Sequence, residues 1–137
     1  MKKFRNYWLP TILWALVIFF LSALTVTPSK EFYWQDFLVK KTAHLVEYAI
    51  LFTFLYRALL NATTFSKKRA AFIALILCSL YGLTDEYHQS FTPGREPKGR
   101  DVIIDTIGAG LAWLYIWKYL PGAPERLRSL AKVLQII

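Results

Sequence analysis

Charge is scarce in this chain. Asp, Glu, Lys and Arg make up only 19% of its 137 residues, against about 25% in ordinary soluble domains. Hydrophobic residues account for 55% and mean hydropathy is +0.33, so a conventional water-soluble domain is excluded. Cysteine occurs once, as Cys78 in an apolar run. That excludes a disulfide framework and a zinc-binding cysteine cluster, and leaves Cys78 as a small packing residue. Acids are few: nine, against 17 Lys and Arg, for a net charge of +8. No nucleic-acid-binding motif accompanies that excess. The basic residues lie between apolar segments, which points to anionic lipid head groups and membrane topology instead.

What the chain has in abundance is long uncharged stretches. Leu9 to Val26 carries no charge over 18 residues, about 27 Å of helix against a hydrocarbon core of roughly 30 Å. Pro10 falls in the first turn, where its missing N–H does no harm. A signal peptide ending near Ser22-Ala23-Leu24 is the rival reading, but more apolar segments follow rather than a soluble domain. After a break at Pro28, the aromatic cluster Phe32, Tyr33, Trp34 and Phe37 suits the lipid–water interface. Further segments are expected over about 39–60, 70–89 and 102–120. The tail, 124–137, places Leu127, Leu130, Ala131 and Leu134 at helical spacing beside Arg126, Arg128 and Lys132. That is the pattern of an amphipathic helix on an anionic leaflet.

The expectation is therefore a single all-α domain: a four-transmembrane-helix bundle with an interfacial C-terminal helix. With both termini in the cytoplasm, 11 basic residues fall inside and six outside, as the positive-inside rule requires. The start of the second segment, the end of the third and the start of the fourth then share the outer face. Five of the nine acids gather there: Glu47, Asp85, Glu86, Asp101 and Asp105. A carboxylate within a span costs roughly 2.5–3.5 kcal/mol at mid-bilayer and less near the surface. Helix dipoles favour Glu47, Asp101 and Asp105 near helix N-termini, and Asp101 fits an N-cap. Asp85 and Glu86 lie near a C-terminus, where the dipole opposes them. That pair needs a partner: Arg95, Arg100, Lys41, a metal ion or a shared proton.

Helical spacing puts His44, Glu47, Tyr48 and Leu51 on one face, and Tyr81, Asp85, His88 and Gln89 on another. Asp101, Asp105, Gly108 and Ala112 form a third stripe, whose small residues admit a close neighbour. Thr92-Pro93-Gly94-Arg95 reads as a tight turn folding Arg95 back towards the acids, where arginine can clamp a phosphate. The bland alternative is a salt-bridged loop that holds helices together. His44 with Glu47 can serve as a general base or ligate a divalent ion. His88 reads most simply as an interfacial side chain, and Tyr48 as packing.

Three motifs are more specific. They are Lys41-x-x-His44-x-x-Glu47-Tyr48-x-x-Leu51, then Asp85-Glu86-x-His88-Gln89-x-Phe91-x-Pro93-Gly94-Arg95, then Arg100-Asp101-Val102-x-x-Asp105-Thr106-x-Gly108-Ala109. In this order and spacing they resemble the VanZ-like family, over about Trp8 to Tyr119. Some members carry Asn where this chain has Asp105, and Lys98 stands where a small polar residue is commoner. The family takes its name from an accessory protein of bacterial glycopeptide resistance that lowers sensitivity to teicoplanin. Its proposed relatives are base-exchange phosphatidylserine synthases and a toxin that cleaves lipid II. The resemblance thus implies hydrolysis or exchange at a phosphate-linked lipid head group in the bacterial cytoplasmic membrane, and the charge count turns the site outward.

On that reading the catalytic set is His44, Glu47, Asp85, Glu86, Gln89, Asp101 and Asp105. Lys41, Tyr48, His88, Arg95 and Arg100 would bind substrate. Glu47, Asp85, Glu86 and Asp105 are the candidates to hold a divalent cation. The expected partners are membrane lipids, with phospholipid or lipid II-like head groups, and no nucleic acid. So large an apolar surface faces either lipid or a second copy of the chain. The alternative is a non-catalytic protein that binds a lipid or lipopeptide in the same pocket. A proton-coupled transporter fits less well, because the apolar centres of the segments carry no charge to continue a pathway.

Overall fold

The computed structural model describes residues 2–23, 33–92 and 98–137, and among these every regular element is helical. A five-residue π-helical turn, Phe4–Trp8, leads into α1, Leu9–Ser22. Helix α2 runs from Tyr33–Ala62 and α3 from Lys67–Gln89. Helix α4, Gly99–Leu114, continues through a second π-helical turn, Tyr115–Tyr119. Pro121 and Gly122 close the chain into a single 3-10 turn before the short α5, Glu125–Val133. Among the described residues three helices are long and apolar enough to cross a membrane: Phe4–Ser22, Leu38–Ala62 and Lys67–Gln89.

Local chemistry sets the boundaries. Ser66 caps α3, its hydroxyl accepting the Arg69 N–H at 3.4 Å, which satisfies one otherwise orphaned donor. Only 63–66 separate α2 from α3, so the two pack as antiparallel neighbours. Asp101 is not the N-cap of α4. That position belongs to Lys98, and the helix begins at Gly99. The Asp101 N–H already bonds the Lys98 carbonyl at 2.7 Å, leaving its carboxylate to reach Lys41 on α2. The aromatic side chains of 32–37 and the Thr92–Arg95 turn lie outside the described residues.

Helix α2 is central, and its contact with α4 is the most extensive between any two described helices. One face of α2 buries Tyr48, Leu51, Phe52, Leu55 and Leu59. Against it α3 turns Ala70, Ala71, Ala74, Cys78 and Gly82, a small-residue face that lets the large rings of α2 sit close. Gly108 on α4 meets the Leu45 backbone carbonyl so tightly that a side chain would collide with it. Large apolar residues also point outward. Phe20, Leu83 and Ile103 are each more than half exposed, as suits helices solvated by acyl chains rather than water.

The two ends of the bundle are chemically different. At one end Arg57 donates to the carbonyls of Leu134 and Asn6, at 2.5 and 3.1 Å, and lies over the Tyr7 ring. Tyr7 and Asn61 bond the side chain and backbone of Gln135. Gln135 itself has φ 55°, the left-handed residue that ends α5 and returns the last residues to the bundle. Both chain ends are thus tied to the C-terminal end of α2. The start of α2, the end of α3 and the start of α4 form the opposite end, where the acids lie.

The Gly108 contact gives a direct test of the α2–α4 packing. Gly108→Val should destabilise the bundle by about 1–3 kcal/mol through overpacking, read as a lower thermal midpoint by circular dichroism in detergent. Gly110, whose Cβ position is open, is the control: Gly110→Ala should match or exceed the parent, by up to about 1 kcal/mol. Equal midpoints for the two variants would contradict the packing.

Candidate functional site

The most enclosed charge in the described residues is Asp105, on the second turn of α4, at 1% exposure. Its Oδ1 lies 3.0 Å from Nδ1 of His44 on α2. An ionised Asp105 accepts from an Nδ1–H, and the ring then presents Nε2 as its basic nitrogen. Gly82 on α3 makes the arrangement fit. A Cβ there would stand 3.2 Å from Asp105 Oδ2 and 3.6 Å from the Tyr48 ring. Three helices therefore converge on one carboxylate, because Gly82 and Gly108 remove the side chains that would hold them apart.

One turn before Asp105, Asp101 Oδ2 meets Lys41 Nζ at 2.5 Å, both side chains less than a fifth exposed. Arg100 Nε stands 3.6 Å from Asp101 Oδ1, its own side chain half exposed. Lys41 precedes His44 by three residues, so one face of α2 supplies both partners of α4.

Asp85 and Glu86 are both buried despite lying in the last turns of α3. Their partners include hydrogen-bond donors that carry no charge. Ser22 Oγ, at the end of α1, donates to Asp85 Oδ1 at 2.5 Å, and Gln89 Nε2 donates to Asp85 Oδ2 at 2.8 Å. The backbone N–H of Lys98 donates to Glu86 Oε2 at 2.7 Å, seating the start of α4 on the end of α3. Tyr81 OH bonds the Ala15 carbonyl at 2.6 Å, and Trp14 Nε1 bonds the Glu47 carbonyl at 2.9 Å. His88 stacks on Phe19 of α1, with centroids 4.0 Å apart. Helix α1 is therefore fastened to the acid-bearing end by polar and ring contacts.

The predicted residues thus divide. His44 with Asp105, Lys41 with Asp101 and Arg100, and Asp85 with Gln89 are brought together, and Glu86 joins the start of α4. Tyr48 is fully buried beneath them. Glu47 is half-buried on α2 and His88 half-buried against α1. Arg95 lies outside the described residues. Among the described residues no three His, Cys, Asp or Glu side chains are grouped to hold a metal ion. Asp85, Glu86 and Asp105 are each held by hydrogen bonds from the protein. Sequence reasoning missed Ser22, Gly82, Ser79 and Thr106. The last two hydroxyls meet at 3.0 Å between α3 and α4. Ser22 had a legible signal, being polar at the end of an uncharged run. Gly82 had none beyond its spacing from Asp85 and Glu86.

A set of apolar, membrane-length helices enclosing charged residues at one end defines a helical integral membrane protein. A model of the VanZ/LLP1 family matches residues 4–120, nearly the whole chain, and the protein belongs to that family. No curated protein and no solved structure matches it.

Ser22→Ala should expose the weight of the α1 contact. It leaves buried Asp85 Oδ1 without this donor, a loss of about 1–3 kcal/mol. Ser90, whose exposed hydroxyl only bonds the nearby Tyr87 carbonyl, is the comparison, and Ser90→Ala should stay within about 0.5 kcal/mol of the parent. Thermal or denaturant unfolding in detergent measures both, and indistinguishable effects would remove Ser22 from the site.

Proposed function

We propose that this VanZ/LLP1 protein hydrolyses or exchanges phosphate-linked lipid head groups at the outer face of the bacterial cytoplasmic membrane. The observation that carries the reading is the His44–Asp105 pair, 3.0 Å apart and enclosed where three helices meet. In the proposed arrangement α4 with its π-helical turn is a fourth span. Both termini face the cytoplasm, and α5 lies along the inner leaflet with Arg126, Arg128 and Lys132 towards anionic head groups. The acid-bearing end then sits at head-group depth outside.

The chemistry follows from the pair. Asp105 orients the ring and stabilises the imidazolium that forms. His44 Nε2 takes the proton of an attacking water or alcohol. The new O–P bond forms as the bond to the departing head-group oxygen breaks, and His44 returns the proton to that oxygen. Lys41 and Arg100, held by Asp101, supply positive charge to the phosphoryl oxygens as negative charge grows there. Asp85, Ser22 and Gln89 hold the ends of α1 and α3 in position, and Glu86 holds the start of α4. A phosphodiester suits this set because it offers both an anion for Lys41 and Arg100 and a leaving group for His44.

The near-complete burial of Asp105 favours a second reading, a non-catalytic pocket for a lipid or lipopeptide head group. Its consequence for teicoplanin sensitivity would then come from ligand capture rather than turnover.

Purified protein in nanodiscs should release a water-soluble head group from a phospholipid or a lipid II-like substrate. His44→Gln and Asp105→Asn should each slow that release about 10²–10⁴-fold, the usual scale of general-base catalysis, read in preparations whose helicity and elution volume match the parent. Tight lipid binding without product in any folded preparation would select the binding protein instead.

A further inference from the structure

Helix α4 meets the backbone of α2 at Leu45, through Gly108. Before that contact along both helices lie the pairs Lys41–Asp101 and His44–Asp105. One turn beyond it, at Ala49 and Ala112, a groove of about 520 Å³ opens between the same two helices. Ile50 and Thr53 of α2 and Tyr115 and Tyr119 of the π-helical turn are among its walls, and none of its nine lining residues is charged. Thr53 is the one polar side chain there besides the two phenols. Its hydroxyl donates to the Ala49 carbonyl at 2.9 Å, so its proton is spent on its own helix. A buried water needs two to four polar partners, and hydrocarbon suits these walls better. The α4 wall is also where the helix loosens into π-geometry, Tyr115–Tyr119, a rare form that recurs at functional sites.

Residues 49–53 fall at the middle of the membrane-length part of α2, Leu38–Ala62, where the surrounding solvent is acyl chain. Counted along the helices, the groove begins about 8 Å past the level of His44 and ends about 21 Å past that of Asp105. One leaflet of the hydrocarbon core is about 15 Å deep. The groove thus covers the depth taken by the tail of a lipid whose phosphate lies at His44. Resting on the head-group reading above, we propose that it is the tail subsite for that lipid and holds one of its hydrocarbon chains. A second copy of the protein fits less well, because stable protein interfaces use about 20–30 residues a side and nine line this groove. Association within a bilayer is won by packing rather than by escape from water, so the subsite selects by shape. The small side chains of Ala49 and Ala112 leave the room. A chain seated there and a phosphate beside Lys41 fix the lipid at two points, which orients the scissile bond towards His44.

The test is photolabelling of the purified protein in nanodiscs, with adducts mapped by peptide mass spectrometry. The probe is a phospholipid carrying a diazirine midway along one acyl chain. The control surface is the apolar face of α1 at Leu13 and Phe20, both more than half exposed. Adducts on 49–53 and 111–119 should exceed those on the control face at least fivefold. Ala112→Leu, which fills the groove, should bring them down to the control level and leave α1 labelling unchanged. Tyr115 and Tyr119 remain in that variant, so the comparison separates fit from photochemical reactivity. Ala49→Leu, on the opposite wall, repeats the test should Ala112→Leu fail to fold. The same diazirine chain on a diacylglycerol, which has no phosphate, should label the groove at least threefold less. Equal groove labelling by the two probes would keep the tail subsite and overturn the head-group reading. Even labelling of groove and control face would overturn the tail subsite and leave the head-group reading to the release assay. An unlabelled groove in a protein of doubled mass by native mass spectrometry would assign it to a second copy and overturn the proposal.

Discussion

A carboxylate enclosed in an apolar helix bundle must be paired, and the Asp105–His44 contact is the one on which this structure depends. Leaving a buried charge unpaired costs several kcal/mol, so the two helices that supply the partners cannot separate freely. Gly108 permits α4 to touch the backbone of α2, and Gly82 clears space for the acid on α3. The same three-helix junction that encloses Asp105 also fixes the geometry of the imidazole. Packing and chemistry are therefore one problem at this end of the bundle.

The rest of the polar end is arranged around that junction in a consistent way. Carboxylates opposed by the α3 dipole accept hydrogen bonds from uncharged donors: Ser22, Gln89 and the Lys98 backbone. Such donors stabilise an anion without neutralising it. The opposite end is fastened by Arg57 and the hydrogen bonds of Tyr7 and Asn61. Between the two ends lie apolar faces that only a lipid phase solvates. The division of labour follows from the membrane, since polar groups are tolerated at depth only where protein satisfies them.

Much of this was legible in the sequence. Uncharged runs gave the helices, and the i, i+3, i+4 spacing put Lys41 with His44 and Asp101 with Asp105. The two stripes are those that meet between α2 and α4. The VanZ-like resemblance is borne out by the family match over residues 4–120. The partners of Asp85 were not legible, because a serine 63 residues away leaves no periodic trace. His44 was paired with Glu47 by proximity along one helix, whereas Asp105 reaches its ring across the helix contact. The N-cap of α4 was misassigned to Asp101 because a side chain that fits a cap can be claimed by a stronger partner, here Lys41. Helical periodicity shows which residues share a face but not which face of another helix they will meet.

The most direct test of the account is an experimental density map of the protein purified with its native lipids retained. The account predicts a phosphate-bearing head group within hydrogen-bonding distance of His44 Nε2 and Lys41, with His44 still on Asp105. A bundle closed around Asp105, its acids paired wholly among protein side chains and with no room for a ligand, would contradict it.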